Sequence, residues 1–544
     1  MKKYIILFLM TVSIYSCNDA IDIVQDGELN NDALYTSVEN MQLVLNDVYG
    51  QMSTTNELLL SSILTDEVGL GEAGFPGDTH SFQIFSTNGS ANAIWFQKYQ
   101  AINRANRLIE GAALYTPNDA EVDEYNNILA QARAIRAFCH FQLLTYFSTD
   151  LSDDDALGVM LVDYVPSIEE DLPRSTNGEV FALIESDLLF AENNLTTATS
   201  GGTSWYYFNT NVIDAMRARM YLYRENYTLA ELYADNVINN SGIVLASSMF
   251  TLPANFPTST DEMSHVGAAG ATSLDAAPPT GTIQFALYQM DRWTATSTSP
   301  MYKKMWVDAD QGEAIFSLGR PNSSTNFGSA YNTNNSSATG APLWDMGRNL
   351  FDLYTEPLGN GAQDFRRWAF VDRSATISTD PLNATRGSEN IIIDKYPGKD
   401  GAHSANDIKV FRMSEMYFIK AEARVEANDF DSAESLIQDV RQARNYISGT
   451  TVPAPNYNDG TEAYADILME RYKELCFEGH RYIDLKRIGA KAGVSGTNRF
   501  IADSQNASAE NPLNISIGDY RFTLPIPQAE LNVNSLPQNP GATY

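Results

Sequence analysis

The chain has 544 residues, 44% of them hydrophobic, and a formal net charge of −32 at pH 7. The apolar share is sufficient for a buried core. The acidic excess excludes nucleic acid as a default partner, because phosphate binding needs Lys and Arg patches, and it disfavours strongly anionic polymers.

The first element is a secretory signal over residues 1–16. Lys2 and Lys3 precede an apolar run from Tyr4 to about Val12, followed by Ile14-Tyr15-Ser16-Cys17. The run is too short to span a membrane, which takes roughly 20 apolar residues. A Cys directly after a small residue resembles the lipobox of bacterial lipoproteins, which implies that Cys17 becomes the lipidated N-terminus. The alternative is an ordinary signal with a chance cysteine. Either way the protein leaves the cytoplasm, so ATP, NAD and nucleic acid are poor ligand candidates. Residues 17–35 are polar and acidic and read as a tether.

Helical periodicity governs residues 36–242. Met41, Val44, Leu45, Val48 and Met52 mark a helix over 38–52; further helices are predicted over about 91–113, 120–147 and 177–195, with Asp150–Asp155 as a solvated loop. Met216–Asn239 laid over Ile419–Gln442 places Ala218 on Ala421, Tyr227 on Phe430, Ala230 on Ala433 and Val237 on Val440. Both segments read as helix, short polar turn, helix, at spacings like those of tetratricopeptide repeats (TPR). Small residues allow close helix approach, and such pairs need neighbours to cover their faces.

Residues 243–407 differ. They are rich in Gly, Ser, Thr, Asn and Pro, yet contain Trp293, Trp306, Trp344 and Trp368. So aromatic an irregular stretch is expected to pack on the helices and to carry function. Residues 408–544 return to helix. The expected fold class is mainly α, with TPR-like helical pairs forming a scaffold for a large, loop-rich insertion. Cys139 and Cys476 sit in helical patterns and read as free, buried thiols. No CxxC pair and no zinc-type histidine spacing occurs, so neither metal nor cofactor is expected.

Four motifs carry a family resemblance. ILMERYKELCFEGHRYIDLKRIG (467–489), ARAIRAFCHFQLLTYF (132–147), WFQKYQAINRANRL (95–108) and the tail LPIPQAELNVNSLPQNPG (524–541) resemble SusD/RagB-type outer-membrane lipoproteins. Ala542 and Thr543 interrupt the last step of the tail pattern. The resemblance implies a non-enzymatic protein, lipid-anchored on the outer membrane and facing outward. It also implies capture of oligosaccharides, or in some members peptides, for a SusC-type TonB-dependent transporter.

Glu470, Glu474 and Glu478 line one helix face. They do not flank a bond as a glycosidase pair must, so a secreted glycoside hydrolase is disfavoured. With Arg471, Arg481, Asp484 and Arg487 they read as structural, fastening the helix to the C-terminal tail; Asp364 and Arg366 are also read as structural, and Trp95 as core. Ligand candidates are aromatic residues amid polar ones, since sugar C–H faces stack on rings and hydroxyls need directed partners. They are Phe75, His80 and Phe82 in the loop 66–92, and Trp293, Tyr302, Trp306, Tyr331 and Trp344 in the middle segment. A neutral glycan is the default ligand. A pure scaffold role would leave no exposed aromatic cluster.

Overall fold

The computed structural model describes residues 34–167, 169–195, 204–249, 299–320, 327–331, 342–372, 375–382, 389–399, 402–504 and 512–544. The signal segment, Cys17 and Trp293 lie outside them. The helices of the first half are α1 (Val38–Gln51), α2 (Thr55–Leu64), α3 (Gly89–Ala112), α4 (Val122–Phe147), α5 (Asn177–Asn194), α6 (Thr210–Tyr223) and α7 (Tyr227–Asn240). The second half holds the short α8 (Met301–Trp306), α9 (Arg348–Leu353) and α10 (Arg366–Phe370). It continues with α11 (Met413–Glu426), α12 (Phe430–Arg444), α13 (Gly460–Leu475), α14 (Arg481–Ile488) and α15 (Gln528–Leu531). Strands are few and lie in two-stranded sheets, among them β1 (Val68–Leu70) against β2 (Trp344–Met346), and β3 (Ala314–Leu318) against β4 (Ile408–Arg412). Among the described residues no helix is long and apolar enough to cross a membrane.

The internal repeat is real down to its turns. Glu225 and Asn428 occupy equivalent places after α6 and α11, and both take left-handed backbone (φ 55° and 57°). The next amide then reaches back to the helix: Asn226 to the Tyr221 carbonyl at 2.9 Å, and Asp429 to the Arg424 carbonyl at 2.8 Å. This is the Schellman closure of a helix C-terminus. The side chains of Asn226 and Asp429 then cap α7 and α12, satisfying an otherwise orphaned N–H. Ala218, Ala230, Ala421 and Ala433 are fully buried where the paired helices approach. The pairs stack through α7 and α11, with Lys420 and Asp235 paired at 2.6 Å across them.

The family motifs find one another in space. Trp95 on α3 is fully buried and donates its indole N–H to Glu530 of the tail at 2.9 Å. Asn106 on α3 accepts from Arg136 on α4, and Arg136 also grips Asp187 on α5 at 2.7 Å. Asn539 of the tail donates to the Phe147 carbonyl that ends α4. Each long-range polar contact leaves few alternative registers, because an unpaired partner would be stranded in the core. Cys139 and Cys476 are free and buried.

The signature helix α13 is the hub of a buried charge network. Glu474 meets Arg366 (3.1 Å), Arg412 (2.6 Å) and Arg444 (2.9 Å). Arg412 and Arg444 share Glu313, Arg366 holds Asp364 and Glu470, and Lys395 with Arg412 holds Glu478. All these side chains are almost wholly excluded from solvent. The structural reading of the Glu ladder and of Asp364–Arg366 therefore stands, but its destination differs from the expected tail. Arg471 and Arg487 pair with Asp484 and Glu422, and Arg481 pairs with Asp66 before β1. The tail is reached mainly by neutral bonds, such as the Tyr482 hydroxyl to the Arg521 carbonyl. Sequence proximity suggested the tail; what the carboxylates meet is buried cations from the middle segment, Arg366 and Lys395, and from the helical C-terminal region, Arg412 and Arg444.

Burial pushes the Glu474 carboxyl up, but Arg444, Arg412 and Arg366 outweigh it and hold the group well below the usual carboxylate range. A depressed folded-state value contributes stability above about pH 4.3, the unfolded value. That contribution is lost as pH falls through the folded one. Glu474→Gln is therefore expected to cost about 3–5 kcal/mol at pH 7, read by urea denaturation, and to flatten the loss of stability below about pH 4.3.

Candidate ligand-binding surface

The loop between α2 and α3 is folded back and pinned from below. β1 pairs antiparallel with β2, setting Leu70 opposite Trp344 and Val68 opposite Met346. Beyond the strand the backbones stay in contact, with Gly71 and Ala73 donating to Leu343 and Pro342 at 3.0 and 3.1 Å. A Cβ on Gly74 would sit 2.1 Å from the Leu343 carbonyl oxygen, so only glycine permits this approach. Arg499 fixes the loop's far side. Its guanidinium donates to the carbonyls of Ile63, Thr65 and His80 and lies 4.1 Å from the Phe82 ring centroid.

On this support the outward edge is apolar with a polar rim. Phe75 is 81% exposed and Leu343 is 43% exposed. Trp344 is partly exposed, with its ring 5.3 Å from that of His80. Glu72 and Asp78 are exposed nearby on the loop. Asn390 donates to Glu72 at 3.4 Å, and Glu389 is held by Arg348 at 2.7 Å. Such an edge can stack on the apolar face of a ring while presenting acceptors and an amide to its hydroxyls.

Beneath the edge lie two buried carboxyls, Asp345 on β2 and Asp503. Burial raises Asp345 well above the normal carboxylate range, reinforced by Asp503 and Glu389. Burial likewise pushes Asp503 up to about 7. His80 is buried and pushed down to about 3 by burial and by Arg499, so its ring is neutral. Among the described residues no His, Cys, Asp and Glu cluster has the geometry to hold a metal ion.

The ligand candidates thus divide. Phe75 and Trp344 keep exposed surface on the two segments whose backbones run side by side at the edge. His80 and Phe82 are each 2% exposed and serve as the loop's anchor. Tyr302, Trp306 and Tyr331 have no accessible surface and cannot stack on a ligand, which corrects their assignment. The Tyr302 hydroxyl donates to Glu474 at 3.1 Å, with Arg444 4.1 Å from its ring centroid. Lys395 lies 4.5 Å from the Trp306 ring centroid, and the Tyr331 hydroxyl donates to Ser62. These rings wall in the charge network, where their faces attract the buried cations. Sequence reading missed Leu343, Asn390 and Arg499, whose neighbours are distant in the chain. It also passed over Trp205–Tyr207, where Tyr207 is 45% exposed and the Tyr206 hydroxyl is held by Asp407 at 2.8 Å.

Known proteins resemble this chain in sequence and fold. Residues 390–541 match the family model described as the SusD family, and residues 21–222 match one described as starch-binding associating with outer membrane. The chain belongs to the SusD/RagB family. SusD-like protein P2 of Formosa agariphila is 25% identical, with 99% of this chain and 100% of that protein covered. A SusD superfamily protein from Bacteroides thetaiotaomicron shares the fold at a TM-score of 0.66 and 21% identity, covering 93% of this chain and 100% of its own. A laminarin-binding SusD-like protein superposes with a TM-score of 0.58 at 18% identity, covering 93% and 100%. The mainly α, TPR-like architecture is thus that of the SusD/RagB family.

Two outcomes follow for the surface. Trp306→Ala should cost about 3–5 kcal/mol, whereas Phe75→Ala should stay within about 0.5 kcal/mol; denaturant midpoints separate them. The raised Asp503 value favours the fold below the ordinary aspartate range, and that contribution is lost as pH rises through about 7. Asp503→Asn should then gain stability at pH 8 relative to pH 5, by at most about 3 kcal/mol, measured as the difference in Tm shift.

Proposed function

We propose that this chain is a surface lipoprotein, anchored at Cys17 to the outer membrane. It captures oligosaccharides and passes them to a SusC-type TonB-dependent transporter without acting on them chemically. The observation that carries the reading is exposed Phe75 and partly exposed Trp344 on two backbone-paired segments of one braced edge, rimmed by Glu72, Asp78 and Asn390. Membership of the family supports it, as do the fold neighbours described as a laminarin-binding protein and a sugar-binding protein. Capture by stacking suits a carrier: ring contacts are individually weak, so a ligand leaves as readily as it arrives.

The Glu470, Glu474 and Glu478 carboxylates are committed to buried ion pairs and are unsuited to acid–base exchange with a bound sugar. The loop 66–92 would set ligand choice, because its composition can vary while Arg499 and β1 keep its frame.

Titration calorimetry on the soluble chain starting at Asn18, against neutral and acidic oligosaccharides and mixed peptides, tests the proposal. One glycan class should bind, and Phe75→Ala or Trp344→Ala should weaken it roughly tenfold, equivalent to about 1.4 kcal/mol. Binding of peptides alone would transfer the role to peptide capture. Release of shorter sugars during the titration would sink the non-enzymatic assignment.

A further inference from the structure

A groove of about 680 Å³ lies on the opposite kind of surface, against helices rather than loops, and the ligand reading makes no use of it. It is lined by Tyr35, Leu43, Val44, Arg104, Arg107 and Leu114, among others. Leu43 on α1 is 56% exposed and Leu114, just past α3, is 85% exposed. Its charged lining is balanced, Arg104 and Arg107 against Asp47 and Glu110. Arg104 shares Asp47 at 3.4 Å, with both side chains about half exposed. Arg107 reaches no carboxylate among the described residues and donates its Nε to Asn103 at 2.9 Å. Glu110, also in the lining, is engaged by the Val165 amide at 2.7 Å.

The polypeptide itself leads into this groove. Leu34 and Tyr35, the first described residues, line it. The Tyr35 ring is seated so closely on Gly111 that a Cβ there would meet it at 2.2 Å. Immediately upstream, residues 19–29 read DAIDIVQDGEL: apolar Ile21, Ile23, Val24 and Leu29 among Asp19, Asp22, Asp26 and Glu28, with no Lys or Arg. Apolar side chains interleaved with carboxylates suit a groove with exposed leucines and one guanidinium, Arg107, that meets no carboxylate among the described residues.

We propose that this groove is the seat of the chain's own leader, residues 19–29, which docks with its apolar residues on Leu43 and Leu114 and a carboxylate toward Arg107. Covalent linkage decides the occupant. A tethered segment faces its site at an effective concentration in the millimolar range, so shallow contacts suffice. A second copy would have to overcome the repulsion between two chains of net charge −32. Docking would shorten the slack between Cys17 and α1 and hold the body at a fixed height and orientation relative to its N-terminus. It holds whether or not Cys17 carries lipid, and whatever the ligand.

Distance measurement between spin labels on Gln25→Cys and Asp119→Cys, in the chain starting at Asn18, tests this directly. Burial pushes the Cys139 and Cys476 thiols up to about 12, so the introduced cysteines label selectively. A narrow short-distance population is expected. It should broaden on Leu43→Asp, and on Ile21→Asp combined with Ile23→Asp, without a change in Tm. Arg107→Glu should broaden it as well, with Asp22→Arg restoring part of the narrow population. A broad distribution that is the same in all variants overturns the proposal. So does a narrow one that appears only as protein concentration rises, which would assign the groove to a second copy.

Discussion

The buried ion network around Glu474 fastens the irregular middle segment of this protein to its helices. Three arginines from three different parts of the chain converge on that one carboxylate: Arg366 from α10, Arg412 from the end of β4 and Arg444 from α12. Isolating any one of these charges in the interior costs several kcal/mol, so the segments that carry them are locked together or not folded at all. A largely irregular middle segment thereby acquires one conformation without long helices or wide sheets of its own. The aromatic rings of Tyr302, Trp306 and Tyr331 complete the device. They exclude water, which strengthens the ion pairs, and they offer π faces to Arg444 and Lys395.

The ligand edge is rooted in the same signature segment through a separate ion pair. Arg481 follows Glu478 in the signature and holds Asp66 at the root of the loop. β1 then starts at Val68 and pairs with β2, which lays the backbone of 342–344 along 70–74. Arg499 closes the far side through three carbonyls. Rigid support beneath variable, exposed side chains is the arrangement a recognition surface needs, because the binding groups then lose little freedom when a ligand arrives. The TPR-like pairs contribute differently. Their capped turns and alanine contacts make a stiff outer body that leaves loops free to differ.

Much of this was legible in the sequence, for reasons that can be named. The helices announced themselves because the 3.6-residue period and its caps are local. The repeat was visible because small and large apolar residues recur at the same spacing, Ala218, Ala230 and Val237 over Ala421, Ala433 and Val440; the shared turn geometry after α6 and α11 emerged in the structure. The structural role of the Glu ladder followed from helix geometry alone. The buried fate of Trp306, Tyr302 and Tyr331 was not legible, because a ring in a polar, glycine-rich stretch reads the same whether it faces a sugar or an arginine. Nor were the partners of the signature segment, which are Arg366, Arg412, Arg444, Asp66 and Glu422 rather than the tail that follows it in the chain.

By itself the sequence determined the helical scaffold, the acidic exterior, the free buried thiols and the family to which the chain belongs, since all of these reside in local pattern or composition. Tertiary structure alone decided which aromatics are exposed. Burial is settled by what packs against a side chain, and for Phe75, Trp344 and Trp306 those neighbours come from residues tens to hundreds of positions away. It also decided that the groove beside α1 opens where the leader enters, a coincidence of place that no spacing along the chain encodes.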